Sequence, residues 1–151
     1  MEDKDYQISL NVKASAEEVF NAINHIDAWW TTDLEGTPNA LHNNFTVHFG
    51  DTWKTFSVTE FTPGQKINWK VIDCFLPWNA DKTEWIGTNV IFDIVASGQL
   101  TEIRFQHIGL KESAECFDAC SNAWTAYLQN SLINLITTGT GKPNTKRNSK
   151  S

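Results

Sequence analysis

Between residues 44 and 108 the apolar side chains of this chain mostly alternate, and after residue 112 they stop alternating. Phe117, Ser121, Trp124, Leu128, Ser131, Leu132 and Leu135 recur at three- and four-residue steps. That spacing lays them along one helical face and predicts a single long helix over about 112–138. Gly139 and Gly141 end it, and Pro143 prevents its return. Upstream, alternation predicts strands at 44–50, 53–61, 66–74, 88–96 and 100–108, with turns at Gly50-Asp51, Pro63-Gly64 and Ser97-Gly98. Residues 6–13 alternate as well, with Tyr6, Ile8, Leu10 and Val12 on one face. A run of antiparallel strands followed by one amphipathic helix must bury a sheet face against that helix, which is an α+β arrangement.

The first strand leads into a helix whose start is written in the sequence. Ser15 can cap it and Glu18, three residues on, completes a capping box. Val19, Phe20 and Ile23 then share one face of a helix at about 15–24. A second short helix covers about 25–31 and contains the pair Trp29-Trp30. Residues 33–43 read as loop, with Gly36 and Pro38. Residues 75–87 read as irregular.

Four segments, in this order, resemble the START-like superfamily, also called Bet v 1-like (SRPBCC) or polyketide-cyclase-like. Within it they are most similar to single-domain homologues of the C-terminal domain of the Hsp-90 ATPase activator. The segments are Val12 to Ile23 with Trp29-Trp30, Val58 to Trp69, the hairpin of Thr88 to Ala96 with Thr101 to Leu110, and Ala123 to Leu128. Ala123 stands where that family often has Gly. The resemblance covers about residues 6–138. It implies the helix-grip fold: a curved antiparallel β-sheet wrapped around a long C-terminal α-helix, two short helices after strand 1, and a cavity between sheet and helix. It implies a module holding an apolar or aromatic small molecule. The alternatives are an aromatase/cyclase-like enzyme, or a stress-related protein assisting a heat-shock ATPase, for which a chaperone would be the partner.

Composition narrows the partners. Of 12 basic residues, four (Lys142, Lys146, Arg147, Lys150) follow residue 140, whereas none of the 18 acidic residues does, so residues 1–140 carry a net charge of −10. An acidic body argues against nucleic acid and against anionic membrane surfaces. No stretch approaches a membrane span, and the acidic N-terminus has no apolar run behind it. Three cysteines make no disulfide framework, which points to a reducing cytoplasm. The expected organisation is one domain over 1–140 and a basic, disordered tail over 141–151.

Candidate site residues follow from parity and phase. Phe56, Val58, Trp69, Val71, Val90, Phe92, Ile103, Phe105, His107, Phe117, Trp124 and Leu128 are expected to face the interior and to line or fill a cavity. His107 shares the inward parity of Ile103 and Phe105 near the strand's end, where it could orient a polar group of a ligand. An imidazole there could act as acid or base, but no carboxylate partner is identifiable, so no catalytic residue is assigned. Glu60 shares parity with Phe56 and Val58 and is expected inward; Asp93 is expected outside. Trp29, Trp30, Leu76 and Trp78 are candidates for a mouth or lid. The apolar stretch within 75–87 could otherwise support a homodimer. Cys116 and Cys120 are four apart on the helix without further ligands at metal-binding spacing, so neither a metal nor a cofactor is assigned. Gly139-Thr140-Gly141-Lys142 follows a helix and precedes Pro143, which excludes a phosphate loop.

Overall fold

A computed structural model describes residues 4–145. The order is β1 (Asp5–Val12), α1 (Ala16–Asn24), α2 (Ile26–Trp29), β2 (Leu34–Gly36), β3 (Asn44–Phe49), β4 (Thr52–Thr62), β5 (Lys66–Phe75), β6 (Asn89–Ser97), β7 (Leu100–Lys111), α3 (Phe117–Ala126), a π-helical segment (Tyr127–Leu132) and α4 (Ile133–Thr138). Among the described residues seven strands form one curved antiparallel sheet in the order β1-β7-β6-β5-β4-β3-β2. The sheet packs against α1, α2 and the C-terminal helix. No helix of the described residues is long and apolar enough to cross a membrane.

The local signals work as read at the start of the chain. The amide of Glu18 donates to Ser15 Oγ at 3.1 Å, and the amide of Ser15 donates back to Glu18 Oε1 at 3.0 Å. Val19, Phe20 and Ile23 are buried on the face this cap orients. The core is dominated by aromatic rings from both layers. Trp30 stacks on Trp29, Trp69 and Trp124, and Phe92 meets Trp29, Trp69 and Phe105 edge to face. Such pairs add to the burial of large apolar areas.

Four expectations are corrected. First, the stretch 33–43 is not all loop: Leu34–Gly36 pairs with β3. Second, the long helix starts at Phe117, with turns over 112–116. It also widens to a π-helical turn between α3 and α4. The buried residues Cys120, Trp124, Leu128 and Leu132 lie at four-residue steps, whereas an α-helix turns every 3.6. A wider turn keeps such a row facing the core. The Ser131 hydroxyl, buried in this turn, donates to Trp29 O at 2.6 Å and accepts from the Lys142 amide at 2.6 Å. Third, Glu60 is not on the inward face. The β4–β5 register shifts between Val58 and Glu60, so an extra residue reverses the parity. Phe61 turns onto Phe20 instead, and Glu60 accepts from the Thr62 hydroxyl at 2.6 Å. Fourth, the first residues of the expected tail are bonded to the body. The Asn144 amide donates to Trp30 O and the Thr32 amide to Asn144 O. Gly141 lets the chain lie against α2: a Cβ there would stand 2.1 Å from Ala28 O. Residues 146–151 lie outside the described residues.

Candidate ligand-binding pocket

Strand β4 alternates into the core from its first residue, so Thr52, Lys54, Phe56 and Val58 all point inward. Phe56 and Val58 meet the packed centre. Thr52 and Lys54 reach the end of the sheet, where the layers separate. A cavity of about 440 Å³ opens there. Its walls are Trp30 just after α2, Phe49, Thr52 and Lys54 from the β3–β4 hairpin, and Trp78 and Trp85 from the β5–β6 loop. Ala119, Cys120, Ala123, Trp124 and Tyr127 form the helix side, and Asn144 closes the end. Ala119 and Ala123 are exposed small residues one helical turn apart, which leaves the helix side open.

The expected site residues divide in three. Trp124, Trp30 and Trp78 lie on this wall. Phe56, Val58, Trp69, Val71, Val90, Phe92, Ile103, Phe105 and Leu128 are buried and fill the space between sheet and helix. Trp29 and Leu76 are likewise fully buried; the Trp29 indole donates to Ile23 O at 3.0 Å. Phe117 packs half-buried at the start of α3, away from the wall. Trp78 is 52% exposed, and its indole donates to Thr52 Oγ1 at 2.9 Å. It stands at the rim.

His107 is fully buried and is not part of the wall. Its Nδ1 accepts from the Trp124 indole at 3.1 Å, and its Nε2 meets Thr88 Oγ1 at 2.9 Å. Both ring nitrogens are therefore committed within the core, which removes the expected role of orienting a ligand directly. Burial, reinforced by the Lys54 charge, holds its pKa down to about 3, so the imidazole is neutral.

The β5–β6 loop is irregular but firmly tied. Glu84 accepts from the Glu115 and Cys116 amides at 2.9 and 3.0 Å, just ahead of α3. Glu115 in turn accepts from the Ala80 and Asp81 amides at 2.7 and 3.0 Å. Burial raises the Glu84 pKa, but the Glu115 and Cys116 amides outweigh it and the net shift is downward. This reciprocal capping seats Trp85, which stacks on Trp124 with centroids 6.1 Å apart and meets His107 edge to face.

Sequence reasoning missed Lys54. Its residue is only 9% exposed, and its ammonium lies 4.4 Å from the Trp85 ring centroid and 4.8 Å from that of Phe49. Among the described residues it pairs with no carboxylate and donates no hydrogen bond. Burial lowers its pKa to about 8, opposed by the nearby thiols of Cys120, Cys116 and Cys74. Those cysteines are free and buried. The signal was available, since Lys54 shares the parity of Phe56 and Val58. Phe49, Tyr127 and Cys120, also on the wall, were likewise not among the sequence candidates. Among the described residues no group of three or more His, Cys, Asp or Glu converges to hold a metal.

No protein-family model matches this sequence, and no curated protein matches it. Solved structures do. The Aha1 dimer from Colwellia psychrerythraea is 23% identical over 91% of this chain and 99% of that one, with a TM-score of 0.77. DynU16, a putative protein in the dynemicin biosynthetic locus, is 15% identical over 93% of this chain and 49% of its own, with a TM-score of 0.70. CalU16 from Micromonospora echinospora is 14% identical over 88% of this chain and 76% of its own, with a TM-score of 0.63. With the sheet order and the gripped helix, these likenesses establish that the chain has the helix-grip fold of the START/Bet v 1-like (SRPBCC) proteins.

Proposed function

We propose that this chain is a small ligand-binding module that holds an apolar or aromatic molecule between the β3–β4 end of the sheet and α3. One observation carries this reading: six aromatic side chains, Trp30, Phe49, Trp78, Trp85, Trp124 and Tyr127, surround about 440 Å³ of open space. Concave, mostly apolar sites of about 300–1,000 Å³ with few polar groups are typical of small-molecule binding. The core behind the pocket is packed with large rings, so the open space is local to this wall. An acid or base serving a cyclase-like reaction would have to come from Lys54, Cys120 or Tyr127, because His107 is committed elsewhere. The free cysteines support a reducing, cytoplasmic setting.

The test uses N-phenyl-1-naphthylamine, a neutral dye that brightens in apolar surroundings. Wild type should brighten it saturably. Ala123→Phe, which fills the pocket from the helix side, should weaken binding at least tenfold without shifting the melt. Non-saturable brightening, equal in both proteins, overturns the reading.

A second reading, self-association, is supported by the exposed apolar residues Ile72, Phe75, Trp78 and Ile86 in one stretch of chain. It is also supported by likeness to a protein solved as a dimer.

A further inference from the structure

We propose that the ligand carries a carboxylate, held by Lys54 at the inner wall while its apolar body lies against Trp85 and Trp124. This rests on the binding reading above and names the ligand's chemical class.

Among the described residues the Lys54 ammonium has no acidic partner. Lys54 points inward from β4 and is nine-tenths buried, yet no carboxylate among the described residues reaches it. Other lysines of this acidic chain find acids: Lys66 pairs with Asp93 at 3.7 Å and Lys111 with Asp5 at 3.0 Å. Among the described residues no Asp or Glu lies on the pocket wall. Buried charges are ordinarily paired, and the ring faces of Phe49 and Trp85 compensate a desolvated ammonium only in part. A pKa near 8 still leaves the group mostly protonated at neutral pH, so the pocket presents a cation. Thr52 shares the wall; its oxygen accepts from Trp78, which leaves its own hydroxyl hydrogen free for an anion. One ammonium and a neutral hydroxyl match a single negative charge. A phosphate, carrying up to two negative charges, would leave one of them unmatched on this wall.

The other source of negative charge is internal. Cys120 lies on the wall, its thiol contacts that of Cys116, and this contact followed by the Lys54 charge lowers its pKa. A Cys120 thiolate would neutralise Lys54 and leave nothing for a ligand's carboxylate to do.

The experiment compares 2-naphthoate with 2-naphthamide, which share shape and differ in charge. Both are titrated by calorimetry at pH 7 into wild type and Lys54→Met. Wild type should bind the acid about tenfold or more tightly than the amide. Lys54→Met should lose that preference and bind the two compounds with similar affinity. If both compounds bind wild type equally and Lys54→Met changes neither, the carboxylate inference fails while the pocket reading stands. If neither compound binds wild type, both fail. A melt of Lys54→Met confirms that loss of preference is not loss of fold.

Discussion

The indole of Trp124 donates to Nδ1 of His107 at 3.1 Å, and this bond fixes the state of the imidazole. With Nδ1 accepting, the proton sits on Nε2 and is donated to Thr88 Oγ1 at 2.9 Å. Thr88 then donates to Trp85 O at 2.6 Å. A single neutral histidine thereby couples two rings of the pocket wall, Trp85 and Trp124, to strand β7. Gly109 is part of the same device: with φ +104, a Cβ there would stand 2.5 Å from Thr88 Cγ2. His107→Ala should therefore destabilise the fold by about 3 kcal/mol, through a cavity and an unpaired indole N–H. A urea melt within about 0.5 kcal/mol of wild type would contradict this assignment.

Acid should expose the same group. The His107 pKa is about 3 when folded, against an ordinary value of 6.5. Between these values the unfolded chain takes up a proton that the folded one refuses, so stability falls as pH falls. The contribution approaches about 1.4 kcal/mol per pH unit. Carboxylates titrate mainly below pH 4.5–6.5, and comparison with His107→Gln across that window removes the contribution of every other group. Wild type should lose stability there faster than His107→Gln; parallel curves would show that His107 takes up its proton without unfolding.

Lys54 has the opposite placement in pH. Its pKa falls from 10.5 to about 8 on folding. Below pH 8 both states are protonated and the full penalty of burying the charge is present. Between 8 and 10.5 the folded state has shed the proton that the unfolded state keeps, so the penalty is relieved as pH rises. Lys54→Met should accordingly raise stability at pH 7, by about 2–3 kcal/mol. A destabilised variant would mean that the ammonium contributes to the fold rather than to a site.

The tie between loop and helix is testable at Glu84. Glu84→Ala removes two acceptors from the amides ahead of α3 and should cost about 1–2 kcal/mol. Hydrogen exchange at Glu115 and Cys116 should quicken. Unchanged protection would mean that Trp85 alone seats the loop.

Trp78 separates access from association. In Trp78→Ser, ligand on- and off-rates should change while the sedimentation profile stays that of wild type if the indole is a rim of the pocket. A shift from dimer to monomer would instead assign it to an interface. If neither changes, Trp78 serves the fold only through its bond to Thr52.

The helix-grip architecture was legible because alternation and helical phase are local, and because Ser15, Gly139 and the Pro63-Gly64 turn mark the boundaries. The pocket was less so. Parity identified an inward face, but Phe92 and Phe105 on that face pack against one another while Phe49 and Tyr127 border open space. Only three-dimensional packing decides which rings meet. A bulge also defeats parity, as Glu60 shows, since nothing at Thr59 announces an extra residue. Lys54 is the reverse case: its inward parity was legible, but a lysine near the tip of a hairpin reads as solvated until its neighbours are seen.

A small molecule bound in the open space beside Trp85 and Trp124 must perturb the indoles that border it. The most direct measurement follows the indole N–H resonances of the 15N-labelled protein during titration with 2-naphthamide. The resonances of Trp78, Trp85 and Trp124 should shift saturably, while that of Trp53 on the outer face of β4 stays in place. Shifts confined to Trp53, or no saturable shift in any indole, would contradict it.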